Sequence, residues 1–258
     1  MRLPLAVVFV AVLALSTMAA ESPAVTAGEA ITYEADGMTF EGYYVSPAHK
    51  APLVLLVHDW DGLTDYEVKR SEMLAELGYA VFAADLFGAG TRPGTLDERL
   101  KLTGQLYQDR DEMRSRLYAA LAAAAALGAD TANAVAIGYC FGGTAVLELA
   151  RSGADLKGLV TFHGGLTTPD GQDYSQTKGE LLVLHGTADE GVSMEDFAGL
   201  AVELEEAGVS HEMTTYSGAP HAFTVFGSER YREDADRKSW NRFTGWLEEV
   251  LAPRPDAD

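Results

Sequence analysis

Cys140, the single cysteine among 258 residues, stands in the segment Gly138-Tyr139-Cys140-Phe141-Gly142-Gly143. Residues 134–137 before it form a short apolar run of strand type, and a helical pattern begins near Thr144. A G-x-nucleophile-x-G turn between strand and helix has a steric logic. The chain bends so sharply that side chains at Gly138 and Gly142 would meet backbone, and the central residue is thrust outward. A sulfur held there stands at a helix N-terminus, whose positive end favours a thiolate, and the Phe141 amide is placed to donate to a developing oxyanion. Most free cysteines are small buried hydrophobes, and out of context Cys140 would be read that way. Its context points to nucleophilic chemistry instead.

A cysteine nucleophile needs a base, and the base needs a group that orients it. Six histidines compete. His58, His163 and His185 each follow an apolar run and can line a strand end without moving a proton, whereas His49 and His211 fall in polar, exposed-looking segments. His221 differs: it lies in Ser217-Gly218-Ala219-Pro220-His221-Ala222-Phe223, a turn-rich loop before the last helical segment, where folds with this turn carry their base. Asp189 follows the apolar run 181–184 within His185-Gly186-Thr187-Ala188-Asp189-Glu190. The order Cys140, Asp189, His221 is that of nucleophile, acid and base. A turn-forming aspartate is the plain alternative for Asp189, and Glu190 is its neighbouring rival.

Positions 140, 189 and 221 meet only if a frame brings them together. From Pro52 onward, apolar runs at 53–57, 79–84, 134–137, 159–162 and 181–184 alternate with helical patterns at 64–77, 96–127 (long enough for two helices), 144–150, 194–207 and 231–251. That alternation predicts an α/β fold with a mostly parallel doubly wound sheet, helices on both faces, and chemistry at the carboxyl ends of the strands. Earlier, the alternating stretches 31–33 and 38–45 around Asp36-Gly37 predict a hairpin. A hydrophobic share of 47% supports one α/β domain over residues 21–258.

Residues 1–20 run from Met1-Arg2 through an apolar stretch to Ala19-Ala20, the order of a secretory signal peptide. The apolar stretch is shorter than the ~20 residues of a membrane span, so cleavage and export to the periplasm or beyond are expected, without stable membrane insertion afterwards. A net charge of −20, spread along the chain, argues against nucleic acid and anionic membranes as partners. One cysteine allows no internal disulfide. No H-E-x-x-H, paired C-x-x-C or Gly-rich phosphate loop appears, so no metal or cofactor is expected.

The three motifs, in this order, resemble those of the dienelactone hydrolase family of α/β-hydrolases over residues 31–251. A fourth match is Val57-His58-Asp59-Trp60-Asp61-Gly62-Leu63. By that resemblance, Trp60 supplies a second oxyanion N–H beside that of Phe141, and Asp59 takes the place of a carboxylate, more often glutamate, that contacts the resting thiol. Type members of the family bind a substrate carboxylate with arginines, but Gly88-Ala89 and Thr224-Val225 stand here in their places. Arg92 and Arg230 are the nearest substitutes, and Arg92, His163 and Phe223 are taken as candidates to line the substrate site. The expected activity is cysteine-dependent cleavage of a small-molecule ester or lactone by a monomer or small homo-oligomer. A noncatalytic binding or thiol-sensing protein on the same scaffold is the alternative of another class, and a peptidase or thioesterase would share the fold and the three residues.

Overall fold

The computed structural model describes residues 27–251, so the signal segment 1–20 lies outside the described residues. Strands β1 (Glu29–Ala35) and β2 (Met38–Val45) pair antiparallel, with Ala35 opposite Met38. Both turn residues between them, Asp36 (φ 48°) and Gly37 (φ 77°), are left-handed, as a two-residue turn between right-twisted strands demands.

The remaining strands are β3 (Pro52–Val57), β4 (Ala80–Ala84), β5 (Asp130–Tyr139), β6 (Gly158–Phe162), β7 (Glu180–Gly186) and β8 (His211–Tyr216). All eight form one sheet in the order β1-β2-β4-β3-β5-β6-β7-β8. From β4 through β8 every neighbouring pair is parallel. The chain leaves β3 toward β4 on one side and later resumes at β5 on the other, so the strand order reverses between β3 and β5. A crevice for ligand chemistry opens at the carboxyl ends of such strands.

Successive residues of β3 go to opposite faces: Leu53, Leu55 and Val57 join the core beneath α2 to α5, and Val54 and Leu56 join the one beneath α1 and α6. Burial on both faces is why these strands are continuously apolar instead of alternating. Helix α1 (Asp65–Glu76) begins in a capping box of Thr64 with Glu67, and α2 (Leu96–Gln108) in one of Thr95 with Glu98. Asp109 ends α2 and caps α3 (Arg110–Ala126) by accepting from the Glu112 N–H, which divides the long helical stretch in two. Helices α4 (Phe141–Arg151), α5 (Met194–Glu206) and α6 (Glu233–Leu251) complete the fold. Helix α4 starts at Phe141 rather than near Thr144, because the turn at Cys140 leads straight into it.

One expectation is corrected here. His211 is not in an exposed polar segment but opens the edge strand β8, half-buried, with its Nδ1 2.8 Å from the Val209 carbonyl oxygen. An edge strand pairs on one side only and tolerates the polar sequence His-Glu-Met-Thr-Thr-Tyr, which conceals it from a search for apolar runs. No helix among the described residues is long and apolar enough to cross a membrane.

Candidate active site

Among the described residues, five non-glycine residues have positive φ, and three of them stand at the carboxyl end of the sheet: Cys140 (φ 52°), His163 (φ 41°) and Ala222 (φ 61°). Backbone held in such regions is costly and persists only where surrounding contacts enforce it. At Cys140 the enforcement is visible. A Cβ at Gly138 would run into the Gly142 carbonyl, and one at Gly142 into the carbonyls of Val57 and His58. The strand-to-helix turn therefore packs directly on the loop that leaves β3.

Cys140, half-buried, lies with its Sγ 3.0 Å from His221 Nε2, and His221 Nδ1 is 2.8 Å from Asp189 Oδ2. The other Asp189 oxygen accepts the N–H groups of Gly191 (2.9 Å) and Val192 (3.0 Å), which fixes the carboxylate plane. The Asp189 side chain is fully buried and that of His221 is 22% exposed. Burial pulls the His221 pKa down, but the hydrogen bond to Asp189 and the neighbouring sulfur outweigh it and push the imidazole up to about 10. Burial likewise raises Asp189, and His221 with the two backbone donors brings it below the ordinary carboxylate range. A thiol, imidazole and carboxylate so joined can move a proton off sulfur and hold the resulting charge.

The Trp60 N–H has no acceptor among the described residues, and Phe141, first residue of α4, has no intrahelical one. His58 holds the Trp60 loop from beneath. Its Nδ1 lies 2.6 Å from the Asp59 carbonyl and its Nε2 accepts the Leu86 N–H at 3.0 Å. The only consistent proton placement is therefore on Nδ1.

A family model described as the dienelactone hydrolase family matches residues 40–251. The chain belongs to that family. It is accordingly a hydrolase of the ester and lactone class with the α/β-hydrolase fold. A Methylorubrum extorquens protein bearing the name carboxymethylenebutenolidase is 26% identical over 249 residues, 92% of this chain and 85% of its own length. Among solved structures, m3DLH is 33% identical at a TM-score of 0.83, covering 88% of this chain and 99% of its own. A dienelactone hydrolase-like promiscuous phosphotriesterase from metagenomic libraries is 30% identical at a TM-score of 0.81, covering 88% and 98%.

Against the family pattern, several substrate-side expectations change. Asp59 does not hydrogen-bond to the thiol: its Oδ1 accepts the Asp61 N–H at 3.0 Å, and its buried carboxyl lies near the buried Glu67 and the half-exposed Asp61. Aspartate is one methylene short of glutamate, and its own loop takes up its acceptor. His163 and Phe223 are 1% and 0% exposed, so they pack behind His221 instead of lining a substrate surface. Arg92 is exposed and donates to the carbonyl of its neighbour Thr91. Arg230 shares a cleft of about 360 Å³ with His221, Pro220, Glu190 and Val192.

Two residues of α2 were missed. The Tyr107 ring packs 5.5 Å from Phe141, beside the nucleophile turn. Arg99 lies over the Trp60 ring at 5.3 Å and pairs with Asp61 at 3.5 Å. The signal was an apolar stripe on the outer side of α2, in which Leu96, Leu100 and Tyr107 stay exposed.

Proposed function

We propose that this protein is an exported hydrolase that opens esters or lactones with Cys140 as nucleophile, His221 as proton carrier and Asp189 as its orienting acid. The observation that carries this reading is the continuous chain from Sγ through the imidazole to a buried carboxylate, at 3.0 and 2.8 Å. In this mechanism His221 takes the thiol proton and the sulfur attacks the acyl carbon. The oxygen, now negative, meets the N–H groups of Trp60 and Phe141. Collapse breaks the acyl–oxygen bond, His221 gives its proton to the departing alkoxide, and a thioester remains on Cys140. Water then attacks the thioester, His221 accepts the water's proton and returns one to sulfur, and the acid leaves. With a lactone, alcohol and acid leave as one hydroxy acid.

The cleft shared by His221 and Arg230 supports a polar or anionic group on the substrate, met from a direction other than the family's usual arginines. Likeness to the promiscuous phosphotriesterase supports a second reading, in which Cys140 also attacks phosphotriesters. Export rests on the charged, apolar and small-residue order of residues 1–20, and N-terminal sequencing of the protein recovered from its host tests it.

The deciding experiment compares the mature protein with Cys140→Ala on short p-nitrophenyl esters between about pH 5 and 9, with a p-nitrophenyl phosphotriester alongside. Ester turnover lost in a variant that melts like the parent supports the mechanism. Equal turnover in both proteins rejects Cys140 as nucleophile.

A further inference from the structure

Helix α2 carries neither the nucleophile nor its two proton partners, yet it meets both residues whose N–H groups would face the oxyanion. Arg99 lies over the Trp60 ring at 5.3 Å, and its Nη2 is 3.5 Å from Oδ2 of Asp61, the next residue of the same loop. Eight residues further on, the Tyr107 ring packs 5.5 Å from that of Phe141. On an α-helix that separation is slightly more than two turns, about 12 Å along the axis. Thr103 lies midway between them, buried, with its hydroxyl donating to the Arg99 carbonyl at 2.8 Å. The side of α2 that packs on the body is therefore the side that reaches both donors.

The two donors are held unequally by the rest of the fold. Phe141 is enclosed, its ring also meeting Phe87 at 5.5 Å and His58 at 6.0 Å. Trp60 is only partly buried at the edge of the core, and the Arg99 guanidinium is the charged group that lies over its ring. Arg99 is itself anchored, with Nε donating to the Pro93 carbonyl at 3.3 Å. The approach to α2 also meets the Trp60 loop: a Cβ at Gly62 would come within 3.2 Å of the Thr91 carbonyl oxygen. A cation over an indole and a half-exposed ion pair contribute little to folding. Placement is the stricter demand, because an oxyanion donor acts only at about 2.7–3.1 Å from the charge it stabilises.

We propose that α2 is a strut across the oxyanion hole, in which Arg99 and Tyr107 are positioning residues that hold the Trp60 and Phe141 N–H groups at one fixed separation. Arg99 grips the loop at two successive residues, the Trp60 ring and the Asp61 carboxylate, which restricts rotation of the backbone between them. Tyr107 backs the first residue of α4. Both stand on one helix of regular pitch, so Trp60 cannot move relative to Phe141 without breaking one contact or bending α2.

The inference rests on the cysteine mechanism proposed above, with Trp60 and Phe141 as its oxyanion donors, and the test reads nucleophile and hole separately. Iodoacetamide reads the sulfur alone, since the Cys140 carbon–sulfur bond forms as iodide leaves. Butanal reads the hole as well: sulfur adds to its carbonyl carbon, and the thiol proton passes through His221 to the oxygen that faces the two N–H groups. In Arg99→Met, kcat on p-nitrophenyl butyrate should fall about tenfold with KM nearly unchanged, and butanal should bind about tenfold more weakly. That is less than the ~10²–10³ lost with a whole donor, because the donor is displaced and not removed. The rate of alkylation and the melting temperature should stay near the parent's. Tyr107→Leu should repeat this pattern. Arg99→Lys, which keeps a cation over the ring, should restore most of kcat, and Lys101→Met, which removes a charge from the exposed side of α2, should match the parent. Parental kcat and butanal affinity in Arg99→Met or Tyr107→Leu overturn the strut, as does alkylation slowed as much as turnover. A parent that turns over no ester and is not alkylated at Cys140 refutes the mechanism itself, and the strut with it.

Discussion

Asp189 shows how fully a single side chain can be determined. Its Oδ1 is claimed by the N–H groups of Gly191 and Val192, so only Oδ2 faces His221. In Asp189→Asn those two backbone donors would keep the amide oxygen on their side and turn the NH₂ toward His221 Nδ1. The imidazole would then carry its proton on Nε2, facing Cys140, and could not accept the thiol proton. We expect kcat on esters to fall roughly 10⁴-fold, as it does when this group is made an amide in a serine hydrolase triad, with little change in melting temperature. A loss of less than about threefold would mean that orientation of His221 does not depend on Asp189.

The loop from β3 to α1 is the element that decides where the Trp60 N–H points. It is held by His58, by the capping box of Thr64 with Glu67, and by Asp59 accepting from Asp61. Two of these supports are buried acids. Burial, the Asp61 carboxyl and Glu67 push Asp59 up to about 10, and burial, against the bonds from Thr64, pushes Glu67 up to about 7. Folding therefore keeps a proton on Asp59 long after an unfolded chain would release it. The contribution of this carboxyl to stability is complete below the ordinary aspartate range and drains away as pH rises toward 10. Asp59→Asn keeps the acceptor for Asp61 and removes the titration. Its melting temperature, relative to the parent, should rise steadily between about pH 5 and 9, and a difference that is flat with pH would refute a buried neutral Asp59.

At the scale of the molecule, Arg70 joins parts far apart in sequence. It sits on α1, pairs with Asp236 on α6, and lies over the rings of Phe226 (4.2 Å) and Trp240 (4.8 Å). Its side chain is 1% exposed and that of Asp236 is 9%. Removing the carboxylate would leave a buried cation uncompensated, so Asp236→Ala should cost about 3–5 kcal/mol in urea unfolding. A cost below about 1 kcal/mol would mean that the rings and the Thr224 carbonyl suffice to hold the charge.

The doubly wound sheet, the hairpin at Asp36-Gly37 and the turn around Cys140 were legible in the residues alone, because each follows from local rules of period and backbone sterics. The pairing of Cys140 with His221 and Asp189 could be read from motif order, since the sheet imposes that order on its loops. Strand β8 could not, for an edge strand need not be apolar on both faces. The destinations of side chains that cross between elements were also hidden. Only packing put His163 and Phe223 behind His221, turned Asp59 toward Asp61, and brought Tyr107 of α2 to Phe141. Sequence by itself determined which residues can react, because reactivity belongs to residue type and local backbone. Tertiary structure alone decided which groups support them, because burial and hydrogen-bond partners are set by segments distant along the chain.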